Sequence, residues 1–282
     1  MDPLSQGIVG SIAAQQVSNN KKIRTAIFIG FLSGMAPDLD IFIRSSIDPL
    51  LAIEFHRQFT HSLIFIPFGG LICGIFFYYL LTKRLGLSFR ESYLYCTLGY
   101  ASHGLLDACT SYGTQLFWPL SDARVAWNTI SIIDPLFTIT LIILVIFSII
   151  KKKIIFARLA LIWVIFYLSL GYLQHNRAEK IAFSNALSRG HTPKNIQVKP
   201  SLANLLVWKA IYESENKYYV DAVKIGLKPK IIQGTSIRKL NVVESFPWLD
   251  LDSQQAKDIG RFSWFSGNYL AISRNNPNRI ID

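Results

Sequence analysis

The sequence predicts an α-helical polytopic membrane domain of four to five transmembrane helices, followed by a small β-rich soluble domain. Three observations lead there. Hydrophobic residues make up 51% of the 282 positions and charged residues only 17%, a balance unusual for a soluble globule. Long apolar runs recur through the first 175 residues, and a run of about 18 or more is read as a membrane helix. After His175 the pattern changes to short alternating stretches rich in aromatic and β-branched residues, which reads as strand. The expected division is therefore a helical membrane domain over residues 1–175, a linker or helix over 176–199, and the β-rich domain over 200–282.

Taken in order, Gly7–Val17 is small and apolar but too short to cross a bilayer alone at about 1.5 Å per residue. The stretch MDPLSQGIVGSIAAQQV lacks the basic start and cleavage site of a secretory signal, so insertion is expected through the membrane segments themselves. Ile23–Met35 reads as a helix ending at Pro37, since proline disfavours helical geometry in the residue before it. That ending sets Pro37-Asp38-Leu39-Asp40 at the far membrane face. Residues 44–55 read as a loop or short interfacial helix. Ser62–Leu81 is the clearest span, with Thr60 or Ser62 as its cap and Lys83-Arg84 closing it. A helix from about Glu91 to Cys109 returns through Gly99, Ser102 and Gly104, small residues that suit close helix packing.

Residues 110–129 form a polar, aromatic loop whose Trp118 and Trp127 suit a membrane interface. Ile133–Ile150 and Ile154–Leu173 read as a helical hairpin turning at Lys151-Lys152-Lys153. Asn176–Pro200 is helix-compatible up to Thr192-Pro193. Beyond it LLVWKAIYE, KYYVDAVKI, KIIQGTSI and RFSWFSGNYLAIS read as strands.

Charge gives orientation and excludes a partner class. The loops 19–25, 82–91 and 151–158 hold ten basic residues, against three in 44–61 and 110–132. The richer set is expected in the cytoplasm, which places the polar clusters and the C-terminal domain on the periplasmic side. The formal charge is +11, but its basic residues lie in short loops or singly along the tail. Nucleic acid is not an expected partner, because no dense basic patch is present. The three cysteines, Cys73, Cys96 and Cys109, form no disulfide framework and read as small buried residues.

The chemistry gathers at membrane borders. HRQFTHS, residues 56–62, sits against the start of the clearest span, where ionisable groups are costly unless paired or liganded. His103 and Asp107 are spaced i, i+4 and share a helix face. His56 and His61 converge only if a helix begins between them. With Asp38 and Asp40 these supply three imidazoles and three carboxylates, a set suited to zinc, manganese or iron. Arg57 is placed to hold an anionic group.

The ordered set MAPDLD, HRQFTHS, GYASHGLLDACT and SIIDPL resembles the bacterial membrane-bound metal-dependent hydrolases, also called LexA-binding, inner membrane-associated hydrolases. The resemblance covers residues 1 to about 175 and implies a multi-pass inner-membrane protein. It implies metal ligation by Asp38, Asp40, His56, His61, His103 and Asp107. Arg57, Thr60 and Ser62 match positions expected to contact substrate, and Asp134 joins Arg57 as a catalytic candidate. Members commonly carry a histidine after D-P-L-T, where this chain has Gln6.

The function expected is hydrolysis of a phosphoester or other anionic lipid or envelope substrate at the outer face of the inner membrane, with a divalent ion, zinc foremost. The alternative is a non-enzymatic membrane protein, for cation or proton transport or partner binding, with a structural His/Asp cluster. Membrane lipids are expected partners, and the C-terminal domain offers a surface for a protein partner.

Overall fold

Two helices open the chain, α1 (Pro3–Gln15) and α2 (Ile23–Met35). Asp2 caps α1, accepting the Ser5 N–H at 2.9 Å, and Pro3 takes the first turn, where its missing donor costs nothing. Both helices pack on α5 (Phe89–Ala108), which starts at a Ser88/Glu91 capping box, each side chain satisfying an orphan donor of the other's backbone. Glycine makes the close approach possible. A Cβ on Gly10 or Gly99 would collide with the Gly30 carbonyl, and one on Gly30 with the Gly10 carbonyl. Small residues thus bring three backbones into contact.

The computed structural model describes all 282 residues, and they divide into two units. The first comprises Met1–Ile43, Phe55–His175 and Pro200–Leu205; the second comprises Arg44–Glu54, Asn176–Lys199 and Leu206–Asp282. Between α2 and α5 the chain forms a 3₁₀ turn (Ala36–Phe42), α3 (Leu51–Phe55), a second 3₁₀ turn (Phe59–His61), and α4 (Ile66–Phe77) extended by a π turn over Tyr78–Thr82. After an irregular stretch come α6 (Pro135–Lys151) and α7 (Ile155–Ser188), whose residues up to His175 belong to the first unit.

The expectation of four to five spans gives way to two candidates, Ile23–Phe42 and Ile155–Ser188. A third arises if Leu51–His61 and Ile66–Thr82, bent by 84°, form one broken span. Polar side chains along α5 and the 17 residues of α6 keep those helices out. Ser62–Leu81 is also not one straight helix, because the chain turns over Ser62–Phe65 before α4 begins. The α-helix from Ile23 does end before Pro37, at Met35. Backbone winding tightens to 3₁₀ there and continues to Phe42, since proline in a first turn loses no needed donor. Asp38 and Asp40 therefore lie within the last turns of that apolar segment.

In the second unit β1 (Lys194–Pro200), β2 (Val207–Ser214), β3 (Lys217–Lys224) and β4 (Lys230–Arg238) make a sheet in that order, with β2–β3–β4 antiparallel. Glu215 and Asn216, both at positive φ, turn the β2–β3 hairpin, the two-residue geometry that matches strand twist. Trp208, Ala210, Tyr212 and Ser214 alternate into the core of this unit. Removing a fully buried tryptophan such as Trp208 costs about 3–5 kcal/mol. A bulge at Val220/Ala222 turns Asp221 inward, where Arg189, Asn185 and the Gly234 N–H hold it.

The chain ends with α8 (Val242–Ser245), α9 (Gln254–Phe265) and a hairpin of β5 (Ala271–Ser273) and β6 (Asn276–Ile281). RFSWFSGNYLAIS is thus mostly not strand. Ser253 caps α9 by accepting the Ala256 N–H, and Ala256, Ile259, Phe262 and Phe265 recur with helical spacing. Phe262, Trp264, Leu270 and Ile272 in the same segment also satisfy a period of two, and the cap decides between the readings.

Candidate metal centre

Helix α5 supplies His103 and Asp107, and its close approach to α2 determines how the histidine points. His103 Nδ1 lies 2.6 Å from the Gly34 carbonyl oxygen. A carbonyl only accepts, so Nδ1 carries the proton and Nε2 presents a lone pair. His61, in the turn before α4, is constrained the same way. Thr60 donates its hydroxyl proton to Asp40 Oδ2 at 2.6 Å, and its oxygen is 2.9 Å from His61 Nδ1. The proton of that contact must then come from His61 Nδ1, so that the neutral imidazole, the form a metal ligand requires, presents Nε2 as a lone pair too.

The two lone pairs face each other, with the Nε2 atoms 3.0 Å apart. Asp38 Oδ1 is 3.2 Å from the His103 nitrogen and 3.4 Å from the His61 nitrogen. Asp107 Oδ2 lies 3.6 Å from His61 and 3.8 Å from His103, and no hydrogen bond satisfies it. With both imidazoles neutral, four acceptors converge, and the one cation beside them, Arg57 Nε at 3.0 Å, faces Asp107 Oδ2 alone. Such an arrangement is repulsive and desolvated unless a cation neutralises it. Ligands at about 2.0–2.1 Å in a tetrahedron stand about 3.3–3.4 Å apart. The measured edges of 3.0–3.8 Å straddle that length. These four residues fit a small divalent ion.

Asp38, Asp40 and His56 form a second, overlapping group of potential ligands. Here the acceptors already have donors. Asp40 Oδ1 is 2.7 Å from His56 Nδ1, and Oδ2 takes the Thr60 hydroxyl and the Arg57 N–H. Asp40, buried at 3% exposure, thus orients the ligand-bearing turn through Thr60 and His61, as carboxylates behind metal-binding histidines do. A helical turn does begin between His56 and His61, but the two rings belong to different groups.

Arg57 sits at φ +66°, a conformation that strains any residue with a Cβ and clusters at functional sites. Its N–H to Asp40 and its carbonyl, accepting from Gln115, pin the backbone. The guanidinium is 8% exposed, 4.9 Å from the Tyr112 ring centroid, with Nε 3.0 Å from Asp107 Oδ2. That contact lacks hydrogen-bond alignment, and the buried Nη1 has no partner. One fork of the guanidinium is therefore open to an acceptor.

The remaining candidates have local duties. Ser62 bonds the Phe59 carbonyl and the Phe65 N–H within its own turn. Asp134 caps α6, accepting the Phe137 N–H, and takes the Tyr167 hydroxyl on its other oxygen at 2.8 Å. Cys109 is buried and outside both groups. The sequence offered no cue to Gly34, which acts through a carbonyl, or to Tyr112, one aromatic among many in its loop. Gln6 is drawn in: its Nε2 donates to Asp107 Oδ1 at 2.7 Å, beside the Met1 amino group on the same oxygen.

Residues 1–178, well over half the chain, match the model of a family described as YdjM inner membrane protein. The chain is also similar to Inner membrane protein YbcI of Escherichia coli (strain K12), with 29% identity over 110 residues, 38% of this chain and 61% of that protein. The similarity thus spans less than two thirds of that relative. No solved structure matches. Neither description names a hydrolase; what both support is an inner membrane protein.

Proposed function

The chain belongs to the YdjM inner membrane protein family, and we propose that it is a metal-dependent hydrolase acting on a phosphoester or other anionic lipid or envelope substrate. One observation carries this reading: four buried or half-buried acceptors converge on one point, with an unpartnered guanidinium nitrogen beside them. Asp38, His61, His103 and Asp107 are the proposed ligands, and zinc suits the edge lengths and donor types best. A divalent ion held there supplies Lewis acidity and a nucleophile at neutral pH. Three ligands are buried, whereas the Asp38 side chain is 28% exposed, so Asp38 marks the face by which substrate enters.

Arg57 binds the anionic group through its open fork, with Tyr112 and the pinned backbone holding it in place. Thr60 aligns His61. His56, 25% exposed and fixed by Asp40 through Nδ1, keeps Nε2 for proton transfer, the orientation an imidazole base requires. Capping by Asp134 leaves it a structural part, and the catalytic role expected of it passes to His56. The multi-pass arrangement, the site on the outer face and the periplasmic tail rest on the ten-to-three loop asymmetry. A protein partner is proposed for the tail.

A second reading, a structural or transported cation, draws on the same geometry, because four protein ligands are the usual closed set of a structural site. Purified full-length protein analysed for metal and screened on phosphoester and envelope-lipid substrates separates the two. Bound zinc with turnover supports hydrolysis; bound zinc without turnover on any substrate favours the second reading; absence of bound metal defeats both. A C-terminal alkaline-phosphatase fusion tests sidedness, and an inactive fusion overturns the periplasmic tail.

A further inference from the structure

We propose that Gln6 is a positioning residue, whose side-chain N–H clamps one oxygen of Asp107 so that the other faces the two histidines. The inference rests on the proposed metal site and adds a residue to it. Gln6 is fully buried, and its Nε2 reaches Asp107 Oδ1 across 2.7 Å. The opposite end of the amide, Oε1, is buried without a hydrogen-bond partner. Exchanging the two ends would set a carbonyl oxygen against a carboxylate, so Asp107 alone dictates the orientation.

Packing alone does not account for this arrangement. A buried polar atom left unpaired is unfavourable, and what offsets it here is the bond to the buried Asp107 carboxylate. Another buried glutamine on α1 shows the contrast. Gln15 bonds the Ser11 carbonyl through Nε2 and accepts the Ser148 hydroxyl on Oε1, so both ends are satisfied. Gln15 is a packing glutamine; Gln6 leaves one end unsatisfied to hold a single carboxylate.

The consequence for Asp107 is directional. Its carboxylate can rotate about the terminal bond, and the four-acceptor arrangement exists only when Oδ2 is turned to His61 and His103. Gln6 shares Oδ1 with the Met1 amino group, and its fixed side-chain N–H adds the direction that selects that rotamer and disfavours both oxygens turning to the ion. Residues that orient a metal-binding carboxylate carry about 10–100-fold in affinity.

The test is zinc affinity of the detergent-purified full chain, measured by competition with a chromogenic chelator. Gln6→Leu is expected to weaken zinc binding by about 10–100-fold, while Gln15→Leu, which also removes a buried amide from α1, leaves it unchanged. Thermal unfolding of both variants shows whether they are destabilised alike. If Gln6→Leu does not fold, Gln6→Met, unbranched and of similar length, takes its place. Wild-type affinity in the Gln6 variant, or equal loss in both positions, overturns the proposal. Failure of both Gln6 variants to fold makes Gln6 structural and overturns it too. A wild-type chain that binds no zinc removes the metal reading itself, an outcome distinct from the others.

Discussion

Arg261 on α9 and the acceptor cluster around His61 are both crowded with charge, yet they follow opposite rules. Arg261 forks onto Asp48 at 2.8 Å and Glu54 at 2.6 Å, and reaches Asp258 at 3.1 Å. Every carboxylate there has a donor, and the groups are a quarter or more exposed. Around His61 the acceptors face one another, three of the four residues buried, and Asp107 Oδ2 is left without an aligned donor. A satisfied network explains itself as structure, worth little at a surface. An unsatisfied, buried convergence demands something the chain does not supply, and that distinguishes a candidate site from a charged surface.

The largest effect that breaks this comparison is loss of a ligand. His103→Ala is expected to abolish zinc retention on gel filtration, a greater loss than the about 10–100-fold of an orienting residue. Retention at the wild-type level would make the His103–Asp107 pair structural. Next comes Arg57→Ala, which should keep its metal but lose turnover of an anionic substrate by about 10²–10³-fold, the scale of one lost transition-state contact. Arg57→Lys should recover only part, since an ammonium cannot fork. Full activity with metal bound would leave the strained arginine without a substrate role.

Smaller again is Thr60→Val, which removes the hydroxyl between Asp40 and His61. Zinc affinity should fall by about tenfold, at the low end for an orienting partner, and chelator competition reads it. No change would mean that packing alone holds His61.

The smallest effect belongs to the satisfied network. Arg261→Gln should leave zinc binding untouched and modestly reduce hydrogen-exchange protection in α9. The hydrogen-bonded Arg261 guanidinium also holds the Asp48 carboxyl below its ordinary value. A depressed acid stabilises the fold above its unfolded value of about 4 and loses that contribution as pH falls through the folded one. Protection in wild type should therefore drop on acidification below about pH 4, more steeply than in Arg261→Gln. Equal pH dependence in both would show that the network contributes nothing measurable.

Much of this was legible in residue order. The i, i+4 pair of His103 and Asp107 and the change of pattern after His175 are local features, and local chemistry builds them. The α9 segment was misread because one set of letters satisfies two periods, and only a serine cap told them apart. The 3₁₀ turn that carries the winding on from the end of α2 to Phe42 has no sequence signal, because proline removes a donor without forbidding a tighter winding.

By itself the sequence determined the membrane character of the chain, the residue types of its polar clusters and the stretches that carry its long helices, because composition and periodicity act within a few residues. Tertiary structure alone decided which of the six candidate ligands face one another. His61 and His103 are brought together by helices touching along glycine-lined backbones, and the Gly34 carbonyl then selects the tautomer that presents a lone pair. Asp38 and Asp40 are two residues apart, and one meets the histidines while the other is taken up by Thr60, His56 and the Arg57 backbone. Neither assignment is written in spacing, because each depends on a donor from a distant part of the chain.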